Sequence, residues 1–226
     1  MLEPIIDADR REAYRYLGLR GRSPDEATAR AVEEAFARLK DAVEPKQVSR
    51  LFPLKWRGAH DMDIEGLQIE SRALARNLAG CDEVFLMATT LGLGPDRLIA
   101  RAQAEGAMSR AMALQAASAA MIEAWCDAVN EELRRQAEAH GRFCRPRFSP
   151  GYGDFPLDCQ RGVFRLLGVQ KNIGVTLTDS LLMLPTKSVT AVIGLSDDPA
   201  AACDAGCAAC GKANCAFRDE RKDDLT

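Results

Sequence analysis

Short, almost unbroken apolar runs alternate along this chain with longer stretches of helical pattern. Ser23-Pro24-Asp25-Glu26 reads as a helix start, with Ser23 at the N-cap, Pro at the first helical position and Glu at the third. That helix is predicted to run to about Ala42 and to stop before Glu44-Pro45. Val48 to Leu54 and Met62 to Ile69 are short candidate strands, and Ser71 caps a helix that ends at Gly80. Glu83 to Thr90 reads as a buried strand, because it is short, apolar and nearly continuous. Gly92 and Gly94 then turn the chain into a helix near Asp96 to Ala104.

The longest helical pattern spans Ala107 to His140, with Gly141 as its C-cap. Its middle, Ala116 to Ala120, is made of small residues that admit close approach of another helix or of a ligand. Leu157 to Leu167 reads as a short amphipathic helix. Ile173 to Thr178 and Ser188 to Leu195, both rich in β-branched residues, read as strands separated by Pro185-Thr186-Lys187. Helices and strands mix without a regular βαβ rhythm, which predicts an α+β fold rather than a doubly wound one. No dinucleotide or Walker glycine fingerprint is present.

Composition narrows the function classes. The 226 residues are 47% hydrophobic and 28% charged, with a net charge of −3. That is a globular balance without the basic patch that a nucleic-acid surface needs. No apolar stretch has the length to span a bilayer and Met1-Leu2-Glu3-Pro4 does not open a signal peptide, so the expected location is cytoplasmic. His60 and His140 are expected at surface or capping positions, and Trp56 and Trp125 in or near the core.

Candidate chemistry gathers in Arg147-Phe148-Ser149-Pro150-Gly151-Tyr152, followed by Asp154-Phe155-Pro156 and Gln160. Arg147 offers a planar fork suited to a carboxylate or phosphate. Pro150-Gly151 sets a turn whose glycine can take positive φ and let a ligand approach the backbone, and Tyr152 adds an aromatic face and a hydroxyl. An ordinary surface loop would carry the same Pro-Gly punctuation.

The block from Arg147 to Leu195 resembles the activation region of vitamin B12-dependent methionine synthase. The shared pattern is Arg-x-x-x-Gly-Tyr at Arg147, Gly151 and Tyr152, then Leu166-Leu167, Ile173-Gly174-Val175-Thr176-Leu177-Thr178-Asp179-Ser180, Met183, Pro185 and Ser188-Val189. Glu123-Ala124 matches a Glu-Ala pair on the family's long helix, and the likeness is strongest over residues 116–195. The resemblance implies a C-shaped α+β domain over residues 1–199, built on a twisted antiparallel sheet with flanking helices that include one long helix. It implies an S-adenosylmethionine (AdoMet) site in which Arg147 meets the carboxylate and Glu123 the ammonium. Backbone around Phe148, Ser149 and Gly151 would bind the adenine or the amino-acid end, and Tyr152 would pack on the ligand. The implied function is reductive methylation of cobalamin. The Asp-x-His-x-x-Gly cobalamin pattern is absent from these residues. The expected partners are therefore a separate corrinoid protein or cobalamin-dependent methyltransferase and an electron donor such as flavodoxin or ferredoxin.

After Asp197-Asp198-Pro199, where the family continues with Tyr-rich sequence, this chain has a cysteine tail at 200–226. Of eight cysteines, Cys203, Cys207, Cys210 and Cys215 cluster there, while Cys81, Cys126, Cys144 and Cys159 are scattered. Four thiolates at this spacing, with Ala and Gly between them, can wrap an iron–sulfur cluster or a zinc ion, or remain free or disulfide-linked. A cluster suits a system that needs a low-potential electron. The rival to an AdoMet-dependent activator is a non-enzymatic metal-binding or electron-relay module that keeps the fold.

Overall fold

The computed structural model describes Ile5 and residues 7–19 and 22–199. Its centre is a four-stranded antiparallel sheet in the order β1-β5-β9-β6, formed by Lys46–Pro53, Glu83–Thr90, Ser188–Ser196 and Phe143–Cys144. The continuous apolar run of β5 follows from its position, since both faces of the strand are covered. Phe85 and Met87 pack under a helical layer, while Val84, Leu86 and Ala88 pack into a second core on the opposite face. A strand buried on both faces loses the alternation that marks a half-exposed one. Lys46, Arg50 and Pro53 lie on β1, at the sheet edge, where charge and proline discourage further pairing.

The helical layer is α1 (Arg10–Tyr16), α2 (Glu26–Lys40), α4 (Gly94–Ala104) and the long α5 (Met108–Glu138). Helices α1, α2 and α4 all pack on α5. The small residues of α5 permit this crowding: Ala116, Ala117, Ser118 and Ala120 are all buried. Ser118 Oγ donates to Leu114 O at 2.7 Å, so its hydroxyl is satisfied within the helix. Toward its C-terminal end α5 narrows to one stripe, Cys126, Val129, Leu133 and Ala137, over the sheet. The opposite face carries a three-stranded sheet, β2 (Lys55–Trp56), β3 (Asp61–Ile64) and β4 (Leu67–Glu70). It also carries α3 (Arg72–Asn77), α6 (Cys159–Leu167) and α7 (Val169–Ile173). A small hairpin, β7 (Thr176–Leu177) with β8 (Met183–Leu184), completes this side. The architecture is the α+β arrangement with a long helix and an antiparallel sheet that the sequence predicts.

Four local expectations need correction. The cap of α2 is Asp25, whose carboxylate accepts from Thr28 N at 2.7 Å, and not Ser23. Met62 to Ile69 is a tight hairpin, because Glu65 and Gly66 both take positive φ and Asp63 Oδ1 accepts from Gly66 N at 3.1 Å. Ile173 ends a helix: Val169 and Ile173, four residues apart, are both buried on one side of α7, and only Thr176–Leu177 is strand. Trp56 is 40% exposed, anchored by its Nε1, which donates to Cys81 O at 2.9 Å. Trp125 is buried, and its Nε1 reaches Lys46 O at 3.2 Å. His60 and His140 are exposed, and Nδ1 of His140 lies 2.9 Å from Gln136 O.

Candidate functional site

Beyond β6 the chain continues along the edge of β9 without forming a regular strand. Arg145 N donates to Gly194 O at 2.8 Å, and Phe148 and Val192 exchange backbone bonds at 2.9 and 2.8 Å. Helix α3 and the turn after it hold the same segment: Asn77 Nδ2 donates to Pro146 O at 3.2 Å and Arg145 Nη2 to Ala79 O at 2.6 Å. Extended backbone sends neighbouring side chains to opposite faces. Arg147 therefore turns toward α5, and Phe148 toward the second core, where its ring stacks on buried Phe155 at 6.3 Å.

The turn that follows is closed by its own backbone. Tyr152 N donates to Ser149 O at 3.1 Å, Phe155 N to Tyr152 O at 2.9 Å and Gly151 N to Phe155 O at 2.9 Å. Gly151 sits at φ +92°, the region that Pro150-Gly151 predicts. Tyr152 meets Phe148 edge-on at 6.4 Å and is 66% exposed, so its ring and hydroxyl face outward.

Asp154 locks this turn to the start of α3. Its carboxylate accepts from Ser71 Oγ at 2.6 Å and from Arg72 N and Ala73 N, both at 2.9 Å. Ser71 Oγ in turn accepts from Leu74 N at 3.0 Å as the N-cap. The Ser71 hydroxyl bond, followed by the Ala73 and Arg72 N–H bonds, pulls the Asp154 carboxyl down to about 2, from an ordinary 3.8. A folded value below the unfolded one means the tie contributes fully above about pH 4 and is lost as pH falls toward 2. Asp154→Asn, which keeps the capping shape but cannot titrate, is expected to flatten the loss of stability between about pH 4 and 2. Urea midpoints measured across that range check this, and an acid limb as steep as in wild type would contradict it.

Arg147 brings the two predicted charges together. Its Nη2 donates to Glu123 Oε2 at 2.9 Å, and its Nη1 donates to Asp127 Oδ1. Glu123 and Asp127 stand four apart on α5 and so share one face. Burial works against the Arg147 charge, but Asp127 and Glu123 outweigh it and hold the guanidinium above its usual range. The formal charge of the trio is −1. Beneath it Cys126 Sγ lies 3.2 Å from Thr89 Oγ1, and burial pushes that thiol up to about 12.

The structure thus gathers Arg147, Phe148, Ser149, Gly151 and Tyr152 on one turn, with Glu123 facing Arg147. Two contributors had no role in the sequence reading. Asp127 was legible as an acid one helical turn beyond Glu123, and Asp154 lay in the quoted motif with its partner on a distant helix. Cys203, Cys207, Cys210 and Cys215 lie outside the described residues. Among the described residues no group of three or more His, Cys, Asp or Glu side chains is disposed to hold a metal, and Cys81, Cys126, Cys144 and Cys159 are free and buried. No helix among them is long and apolar enough to cross a membrane.

Comparison with known proteins bears on this arrangement in two ways. A family model described as the activation domain of vitamin B12 dependent methionine synthase matches residues 71–202, which take in α3, the whole of α5, the Arg147 turn and β9. The fold is similar to that in a crystal structure of the MetH reactivation domain bound to AdoHcy, with a TM-score of 0.59 at 20% identity. The similarity covers 76% of this chain and 66% of that one. Since the family match spans more than half of the sequence, this chain belongs to the vitamin B12-dependent methionine synthase activation-domain family.

Proposed function

We propose that this protein binds AdoMet at the Arg147–Tyr152 turn and presents it for the reductive methylation of cobalamin held by a corrinoid-binding domain or protein. The observation that carries the reading is the fork of Arg147 held against Glu123 at the lip of a turn with an exposed aromatic ring. The residues fit the ligand's groups. Arg147 suits the carboxylate, Glu123 suits the ammonium, and the Tyr152 face suits the adenine. The surplus negative charge of the trio favours a ligand that brings positive charge. AdoMet, when bound, supplies the methyl group, and the chain's own residues bind and orient it. Asp127 is 70% exposed at its side chain, so it can swing into solvent and release one edge of the Arg147 fork to the ligand carboxylate. The relative's structure holds AdoHcy, which adds weight to this class of ligand. A corrinoid protein or cobalamin-dependent methyltransferase is then the partner, and a flavodoxin- or ferredoxin-type donor the source of the electron. Isothermal titration with AdoMet and AdoHcy is the test. Saturable binding of both below about 1 mM supports it, and no heat from either overturns it.

A second reading is a metal-binding or electron-relay module without AdoMet chemistry. It draws support from the terminal nitrogens of Arg147, both already engaged by carboxylates, and from the four clustered cysteines. Protein purified without oxygen is expected to carry iron and sulfide in equal amounts, or else one zinc, with Cys210→Ser losing the metal. Metal-free protein with unchanged stability in Cys210→Ser would remove the tail from either scheme.

A further inference from the structure

Beside Lys187, which precedes β9, the N-terminal half of α5 is flanked by α1 and α4. The hollow between these helices has a volume of about 460 Å³. Leu17, Ile99, Met112 and Ala116 give it apolar walls, and the exposed Gln103 and Gln115 are among its lining residues. Lys187 also lines it. This lysine is only 7% exposed, yet among the described residues no group accepts a hydrogen bond from its ammonium. The carboxylate whose field reaches it, Asp96, is committed elsewhere: its two oxygens accept from Thr186 N at 2.8 Å and from Thr186 Oγ1. The chain around Lys187 is held in place, because Lys187 O accepts from Leu91 N, and Ser188 Oγ donates to Pro185 O at 2.7 Å and lies 2.8 Å from Thr90 Oγ1.

The ammonium faces the hollow with no acceptor beside it among the described residues, and burial of the side chain lowers its proton affinity, with Asp96 offsetting part of the effect. An anion delivered into the hollow would supply the missing acceptors, and an apolar body behind it would cover Leu17, Ile99 and Met112. Apolar walls with one convergent charge are the usual make-up of a small-molecule site. We infer that this hollow is a second ligand site, separate from the Arg147 turn, for a small amphipathic anion whose carboxylate or phosphate head meets Lys187 and whose apolar body lies between α1, α4 and α5.

The test is isothermal titration of the full chain with octanoate and octyl phosphate, with 1-octanol and inorganic phosphate as probes of each half. At least one of the first pair is expected to bind below about 1 mM, and the tighter of them names the head group. Each half alone is expected to bind at least about tenfold more weakly. Equal binding of octanol would remove the anion from the proposal, and equal binding of inorganic phosphate would remove the apolar body. Lys187→Met is expected to melt no lower than wild type, because it replaces a largely buried lysine, to which the described residues offer no acceptor, with an apolar side chain of similar length, and to weaken the amphipathic anion about 10- to 100-fold. Ala119→Met, which fills the hollow and keeps the lysine, is expected to weaken it as well. Unchanged affinity in both variants, or displacement of the probe by saturating AdoHcy, would overturn the inference.

Discussion

Replacing Gly94 by alanine is expected to destabilise the fold by about 3 kcal/mol, although the change adds a single methyl group. A Cβ at this position would lie 1.8 Å from Ala42 O and 2.6 Å from Ala42 C. Both atoms are backbone, so no rotamer change relieves the contact. The first turn of α4 would have to withdraw from the segment that follows α2. That segment is itself pinned, since Glu44 N donates to Leu91 O at 2.9 Å. The strain therefore reaches the end of β5 and the seat of Lys187. Urea denaturation is expected to give a lower midpoint with an unchanged slope. Gly106→Ala separates this clash from simple backbone strain. It sits at φ +71° with nothing within 4 Å, so it is expected to cost only about 1 kcal/mol. Equal losses in the two variants would show that the contact with Ala42 is not the cause.

How much of this was legible in the sequence depended on whether local pattern or distant packing decided the outcome. Glu83 to Thr90 was readable because burial on both faces forces an apolar run, and the run is what the eye finds. The Met62 to Ile69 hairpin was not, because its two arms hold only two apolar residues each, Met62 and Ile64 and then Leu67 and Ile69, and the slip of phase at Glu65-Gly66 is the one sign of the reversal. Ile173 to Thr178 misled in the other direction: its β-branched composition argued for strand throughout, yet Ile173 closes a helix that begins at Val169 and only Thr176–Leu177 is strand. In the site, Arg147, Gly151 and Tyr152 could be named because the turn that joins them is local. The partners of the turn could not, since Asp154 finds Ser71 more than eighty residues away and Asp127 announces itself only once Glu123 has a defined helical face. Lys187 is the clearest case of hidden information. Pro185-Thr186-Lys187 reads only as the segment between two strands, yet the end of the sheet draws the lysine under three helices.

The largest functional effect is expected from Arg147→Ala, which should weaken AdoMet and AdoHcy about 100-fold while costing about 1 to 2 kcal/mol of stability. Two separate losses contribute. The ligand carboxylate loses a two-pronged, charge-assisted contact, and Glu123 and Asp127 are left facing each other one helical turn apart without the cation between them. Arg147→Lys keeps the charge but not the planar fork, so it should recover stability and only part of the affinity, remaining about tenfold weaker than wild type. Asp127→Ala is expected to have the opposite sign, because the fork no longer has to be released from its exposed partner before the ligand can take it. An affinity gain of about threefold in Asp127→Ala, abolished when Arg147→Ala is added, is the signature of that competition. Titration calorimetry on wild type and the four variants measures each term. Arg147→Ala binding within about threefold of wild type would rule the turn out as the AdoMet cradle. A loss in Asp127→Ala would instead make that carboxylate a direct ligand for the ammonium and leave Arg147 as the residue that positions it.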